Sequence, residues 1–179
     1  MISERARAGF DDLFVAALRS RLPRSGADDI AIDPVMDAGA PARPGATIVV
    51  LTISSIRFRL LFMLDVAEDD AMRAYYVPDN AAMRFREAFA EVANLCGGLL
   101  SQGLQSHFPD LGMSTPYVLD TGCLGHLDSL KPGHLSRHAV TINGAVRIVA
   151  TMCICAHAAI DFVPGSAVVE VCEGELELF

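Results

Sequence analysis

Glu87, Glu91, Asn94 and Gly98 recur at helical spacing. At 100° per residue, with Glu91 at zero, they fall at about −40°, 0°, −60° and −20°. Phe85, Phe89, Val92, Cys96 and Leu99 fall at about 120°, 160°, 100°, 140° and 80°, an apolar stripe that must face a sheet. Two carboxylates and an amide, groups that accept and donate hydrogen bonds, therefore share the solvent side of one helix. A solvated face is the ordinary reading of such a stripe. Two details oppose it. Asn is a poor mid-helix residue, and Gly costs about 1 kcal/mol against Ala in a helix interior. Gly97-Gly98 nevertheless stands in mid-pattern, with Leu99, Leu100 and Leu104 continuing the helix. Glycine leaves room for close approach to the backbone, so a docking surface explains the stripe better.

Other reactive side chains give weaker patterns. Cys153, Cys155 and His157 share one face of a strand. Alternate strand residues lie ~6.6 Å apart, so three in line cannot close a tetrahedron around a metal. A buried thiol-rich strand is the better reading, and no metal site is expected. His126, His134 and His138 lie in or beside a Gly/Asp/His-rich loop from Asp120 to Gly133. Asp120 and Asp128 would allow metal binding or base chemistry there, but the spacing matches no ligand motif, and a mobile polar loop at a partner edge is expected. No Ser or Cys sits in a nucleophile motif, and no Gly-rich phosphate loop follows a strand.

The elements that must position the stripe follow from periodicity. Residues 4–22 repeat apolar side chains at helical spacing and stop at Pro23. Pro23 to Pro44 reads as a meandering connection with a brief strand at Asp29–Pro34. Ala46–Ile53 and Ile56–Asp65 form an antiparallel pair with one face buried, Arg57, Arg59 and Leu61 alternating with Phe58, Leu60 and Phe62. A short helix spans Glu68 to Tyr76, and Asp79 or Asn80 can cap the long helix running to about Gln105. Strands follow at Thr115–Leu119, Ser136–Ile142, Ala145–Cys155 and Ala167–Cys172. Asn143-Gly144 is the strongest hairpin signal among them. The order predicts an α+β fold, a mostly antiparallel sheet with helices on one face.

Composition bounds the partners. The chain has 179 residues, 52% hydrophobic and 20% charged, enough apolar material for one full domain core and too much for intrinsic disorder. Its 22 acidic residues against 14 basic ones give a formal charge of −8, and Lys131 is the single lysine. Such a surface repels phosphate backbones and anionic lipid, so neither nucleic acid nor membrane is an expected partner. The apolar run Ile148–Ile160 falls short of the ~20 residues a spanning helix needs. Glu4, Asp11 and Asp12 interrupt any secretory h-region, and five cysteines, an odd number, fit reduced thiols. A cytoplasmic location is expected.

The segment from Glu87 through Glu91 and Asn94 to Gly98 resembles the phosphatase motif of the CheC/CheX/FliY chemotaxis family. That motif is Asp or Ser, Glu four residues on, Asn three after that, and usually Gly four further. Pro116–Gly122 looks like the strand that follows the motif helices in CheX, and Val169–Cys172 looks like its terminal strand. The similarity spans roughly residues 46–173, and one motif rather than two makes the chain CheX-like. On this resemblance, residues 46–179 form the phosphatase domain, and residues 1–45 are an N-terminal helix and extended connection within the same domain.

The resemblance implies two long helices with the site on their outer face and a homodimer. It also implies hydrolysis of the aspartyl phosphate of a CheY-type response regulator. Asn94 would orient the attacking water and Glu91 would pair with the regulator's active-site lysine. Glu87 and Gly98 would contact the partner. The chain would need no cofactor of its own, since the regulator supplies Mg²⁺. Glu87 departs from the family's Asp or Ser, keeping the acid with a longer reach. The alternative is a non-catalytic CheX-like binding or scaffold domain that docks a regulator through the same helix face.

Overall fold

The computed structural model describes residues 1–35, 46–77 and 85–165. The Asp79 or Asn80 cap, the Ala167–Cys172 strand and most of the Pro23–Pro44 connection's second half lie outside them. The sequence folds in the order α1 (Glu4–Arg21), β1 (Ile30–Pro34), β2 (Ala46–Ser54), β3 (Phe58–Ala67), α2 (Asp70–Tyr76) and α3 (Phe85–Gln105). Then follow β4 (Gly112–Met113), β5 (Tyr117–Asp120), a 3-10 helix (Thr121–Leu130), β6 (His134–Ile142) and β7 (Val146–Ala156).

Among the described residues the strands form one seven-stranded sheet in the order β1-β6-β7-β3-β2, with β4 and β5 both on the outer edge of β2. Every pairing within it is antiparallel. At the β6–β7 hairpin Asn143 and Gly144 take φ of 51° and 69°, the pair of positive angles that a tight two-residue turn requires. β5 begins after Pro116, which has no N–H to give to a ladder.

Register divides the side chains. Leu51, Phe62 and Met152 stand abreast on one face. Thr52, Leu61, Cys153 and Leu135 stand abreast on the other. The first face carries the main core, where Phe14 of α1 meets Phe62 edge-on at 5.8 Å and Phe10 meets Phe58 at 5.5 Å. α1 is capped by Ser3, whose Oγ accepts from the Ala6 N–H and donates to Asp161 at 2.6 Å. The Arg5 guanidinium and Ser3 hydroxyl hold the Asp161 carboxyl well below the usual carboxylate range.

The opposite face differs from expectation. Residues 121–130 are not a loop but a 3-10 helix lying over Ile48, Val50, Met63 and Cys153. Asp120 starts it, accepting from the Gly122 N–H at 2.8 Å, and Lys131 ends it in the left-handed region at φ 51°. Leu124, Leu127 and Leu130 recur every third residue, so in a helix of three residues per turn they align along one side. Leu124 and Leu127 pack on the sheet. No helix among the described residues is long and apolar enough to cross a membrane.

His138 lies beneath α1, on the helix-bearing face of β6. Its ring meets Phe14 at 5.7 Å, and its Nε2 lies 3.2 Å from the Ser136 hydroxyl. Burial pushes its pKa down, while Asp11 draws it weakly up. The unfolded chain binds a proton near pH 6.5 that the folded chain refuses, so stability falls as pH drops through that value. Urea melts at pH 7.5 and 5.5 should show a loss that shrinks in His138→Leu. An unchanged difference would remove His138 from that role.

Candidate functional site

α3 is held by two close approaches of its own backbone. A Cβ at Gly97 would lie 2.8 Å from a Leu51 methyl on β2, and one at Gly103 would lie 2.6 Å from a Leu13 methyl on α1. Glycine lets the helix sit against both the sheet and its neighbouring helix. Tyr76 of α2 supports the N-terminal half. Its ring packs on Phe89 at 4.7 Å, and its hydroxyl donates to the Leu22 carbonyl at 2.8 Å. Burial raises the pKa of that phenol.

These contacts set which arc of α3 is buried. Phe89, Ala93, Cys96, Leu100 and Leu104 have no exposed surface. Val92 and Leu99, which the sequence pattern placed in the stripe, are only partly buried at its flank. The arc is rotated toward the side of Gly97, where α3 sits against Leu51 of β2 and Met113. Cys96 lies in the core, its thiol pushed up to about 12 by burial, and is unsuited to nucleophilic chemistry.

The opposite arc carries the polar stripe. Glu87 and Glu91 are exposed, and Asn94 and Gly98 are partly exposed. Three residues of helix, a rise of ~4.5 Å, separate Glu91 from Asn94, so both face solvent within one turn. The two adjacent glycines have different uses. Gly97 is filled by Leu51 and by Met113, whose Sδ lies 3.4 Å from its notional Cβ, whereas a Cβ at Gly98 would meet nothing within 4 Å. Only Gly98 is therefore open to an approaching surface, and the packing role of Gly97 went unread in the sequence.

The remaining candidates are dispersed. Cys153 is buried and its thiol pushed up to about 12, chiefly by that burial. Cys123 packs on the same far face, its pKa also raised by burial, and Cys155 donates to the Leu130 carbonyl at 3.6 Å. His157 follows β7 and is exposed, its backbone N–H donating to the Arg57 carbonyl at 2.7 Å. His134 contacts Asp11 at 2.8 Å and His138 lies beneath α1, while His126 lies across the sheet. There it lines an apolar groove of about 180 Å³ with Val50, Met63, Tyr117, Leu119 and Leu127. The three histidines thus do not converge.

No protein-family model matches the sequence, and no curated protein matches it. Solved structures do. The chemotaxis protein CheX from Vibrio vulnificus superposes with a TM-score of 0.57 at 14% identity, over 81% of this chain and 98% of its own. A CheX–CheY–BeF3–Mg²⁺ complex from Borrelia burgdorferi gives 0.57 at 14% identity, over 82% and 96%. A CheC-like superfamily protein from a Shewanella species gives 0.51 at 10% identity, over 82% and 95%. The chain has the CheX/CheC-like fold. The α+β sheet with α1 and α3 on one face agrees with the expected architecture.

The glycine pair yields a test independent of function. Gly98→Ala should stabilise the CheX-like fold by about 0.5–1 kcal/mol, because the methyl meets nothing and the helix gains propensity. Gly97→Val should destabilise it by about 1–3 kcal/mol through overpacking on Leu51. Denaturant midpoints of the two variants should move in opposite directions.

Proposed function

We propose that this chain is a CheX-like phosphatase that hydrolyses the aspartyl phosphate of a CheY-type response regulator in chemotaxis or two-component signalling. The observation that carries the reading is the placement of Glu91 and Asn94 one turn apart on the outward arc of α3, above an open Gly98. The CheX/CheC-like fold supports it, and one structural neighbour is a CheX bound to CheY with BeF3 and Mg²⁺.

The regulator brings the phosphoryl group and its Mg²⁺, so this chain needs no nucleophile and no cofactor of its own. Asn94 presents an amide that accepts a hydrogen bond from a water and aims its oxygen at phosphorus, in line with the aspartyl oxygen. The P–O bond to aspartate breaks as the new one forms, leaving a carboxylate and inorganic phosphate. Glu91 pairs with the regulator's active-site lysine and sets the register of the two surfaces. Glu87 and Gly98 lie along the same contact, Glu87 giving the acid more reach than the family's Asp or Ser.

Phosphate decay on CheY-type receivers of the same genome tests the reading. Added protein should shorten the lifetime, and Asn94→Ala should cut the acceleration by about a hundredfold or more. Because Asn94 is partly exposed, its circular dichroism and melting should be unchanged. Full activity in that variant would overturn the mechanism. Binding without acceleration by the wild type would favour the scaffold reading.

A second copy is proposed to join through a sheet edge. Among the described residues the outermost strands are β1 on one side and β4 with β5 on the other. Such edges pair readily with another chain, and a symmetric pair is the commonest closed assembly. Light scattering should give the mass of two chains, and a monomer at micromolar concentration would refute the pairing.

A further inference from the structure

We propose that Leu95 and Met113 are the apolar anchors by which the α3 face grips the receiver, setting affinity while Glu91 sets the register and Asn94 the rate. The proposal rests on the phosphatase reading. Leu95 falls at about 40° from Glu91, inside the outward arc, and is 44% exposed. Met113 pairs with Ile53 in the β2–β4 register, so it stands on the helix-bearing face of the sheet. Its sulfur lies against Gly97, which falls at about −120° on α3. It is nonetheless 45% exposed. Glu91, Asn94 and Gly98 therefore lie between two exposed apolar side chains supplied by different elements.

Several other large apolar side chains exposed among the described residues lie elsewhere in the fold. Tyr117, Leu119 and Leu130 line the groove on the far side of the sheet, and Ile56 occupies the β2–β3 turn. Charges alone cannot hold the partner, because exposed ion pairs are weak and screened by salt. Interfaces instead draw most of their affinity from a few side chains that become fully desolvated at a core depleted in charge, with a polar rim around it. The occupant argued for is the phosphoryl-bearing face of a receiver domain. It must present a cation opposite Glu91, its phosphoryl group opposite Asn94, and apolar surface on each side.

The test measures dephosphorylation kinetics of a CheY-type receiver from the same genome, with direct titration of its beryllofluoride form. Leu95→Ala and Met113→Ala should each raise KM and Kd about tenfold with kcat little changed. Leu135→Ala, an exposed apolar truncation on the far face, should change neither. Asn94→Ala should lower kcat instead. If Leu95→Ala and Met113→Ala act no more strongly than Leu135→Ala while Asn94→Ala remains inactive, the anchors are refuted and the phosphatase reading stands. If the wild type neither binds nor accelerates with any receiver, both fall. Binding without turnover, weakened by the same two truncations, would support the anchors and redirect the function to docking.

Discussion

The contact of α3 with β2 through Gly97 is the constraint on which the candidate site depends. A helix can roll about its axis on a sheet, and every 100° of roll exchanges one outward residue for another. The side chain of Leu51 occupies the place of the missing Cβ at Gly97, and that of Leu13 occupies the one at Gly103. These two fittings lie about 120° apart, on opposite flanks of the inward arc, and face different elements, so they stop the roll. Glu87, Glu91, Asn94 and Gly98 are outward as a consequence. The same contact draws Met113 of β4 onto the helix flank, so the edge of the sheet joins the surface that α3 presents.

The sheet serves as floor for two unequal layers. On one side aromatic side chains of α1 and β3 interlock edge-to-face, with Phe108 and Phe162 closing the same cluster around Phe10. This layer buries most of the core and holds α1 and α3 in place. The other layer is thinner, a 3-10 helix whose leucines cover Ile48, Val50 and Met63 and leave an open apolar groove beside β5. The thiols of Cys123, Cys153 and Cys155 belong to this thin layer. Burial keeps the first two protonated, which suits packing better than reactivity.

Legibility followed the length scale of the interaction that decided each feature. α1, β2, β3 and β7 were readable because their apolar periods run over many residues, and the β6–β7 turn because Asn-Gly carries its own backbone preference. Residues 121–130 misread as a loop because two glycines, an aspartate and a histidine break up their leucines, so no 3.6-residue period is visible. The signal that betrays a 3-10 helix is a leucine every third residue, a period rarely sustained for so long. The histidines looked like one cluster in the chain because the face of the sheet that residues 121–130 cover is invisible until the elements are packed.

By itself, the sequence determined the α+β class, the strand pair at its centre and the shared stripe of Glu87, Glu91, Asn94 and Gly98. Those features depend on side-chain period and local propensity, which act within a turn or a strand. Only the tertiary structure decided which of two adjacent glycines was packed and which open, how far α3 was rolled, and that Met113 from a distant strand borders the stripe. It also parted His126 from His134 and His138 by placing the sheet between them. Those outcomes depend on steric fit between elements far apart in the chain, and no local pattern encodes the shape of a partner surface.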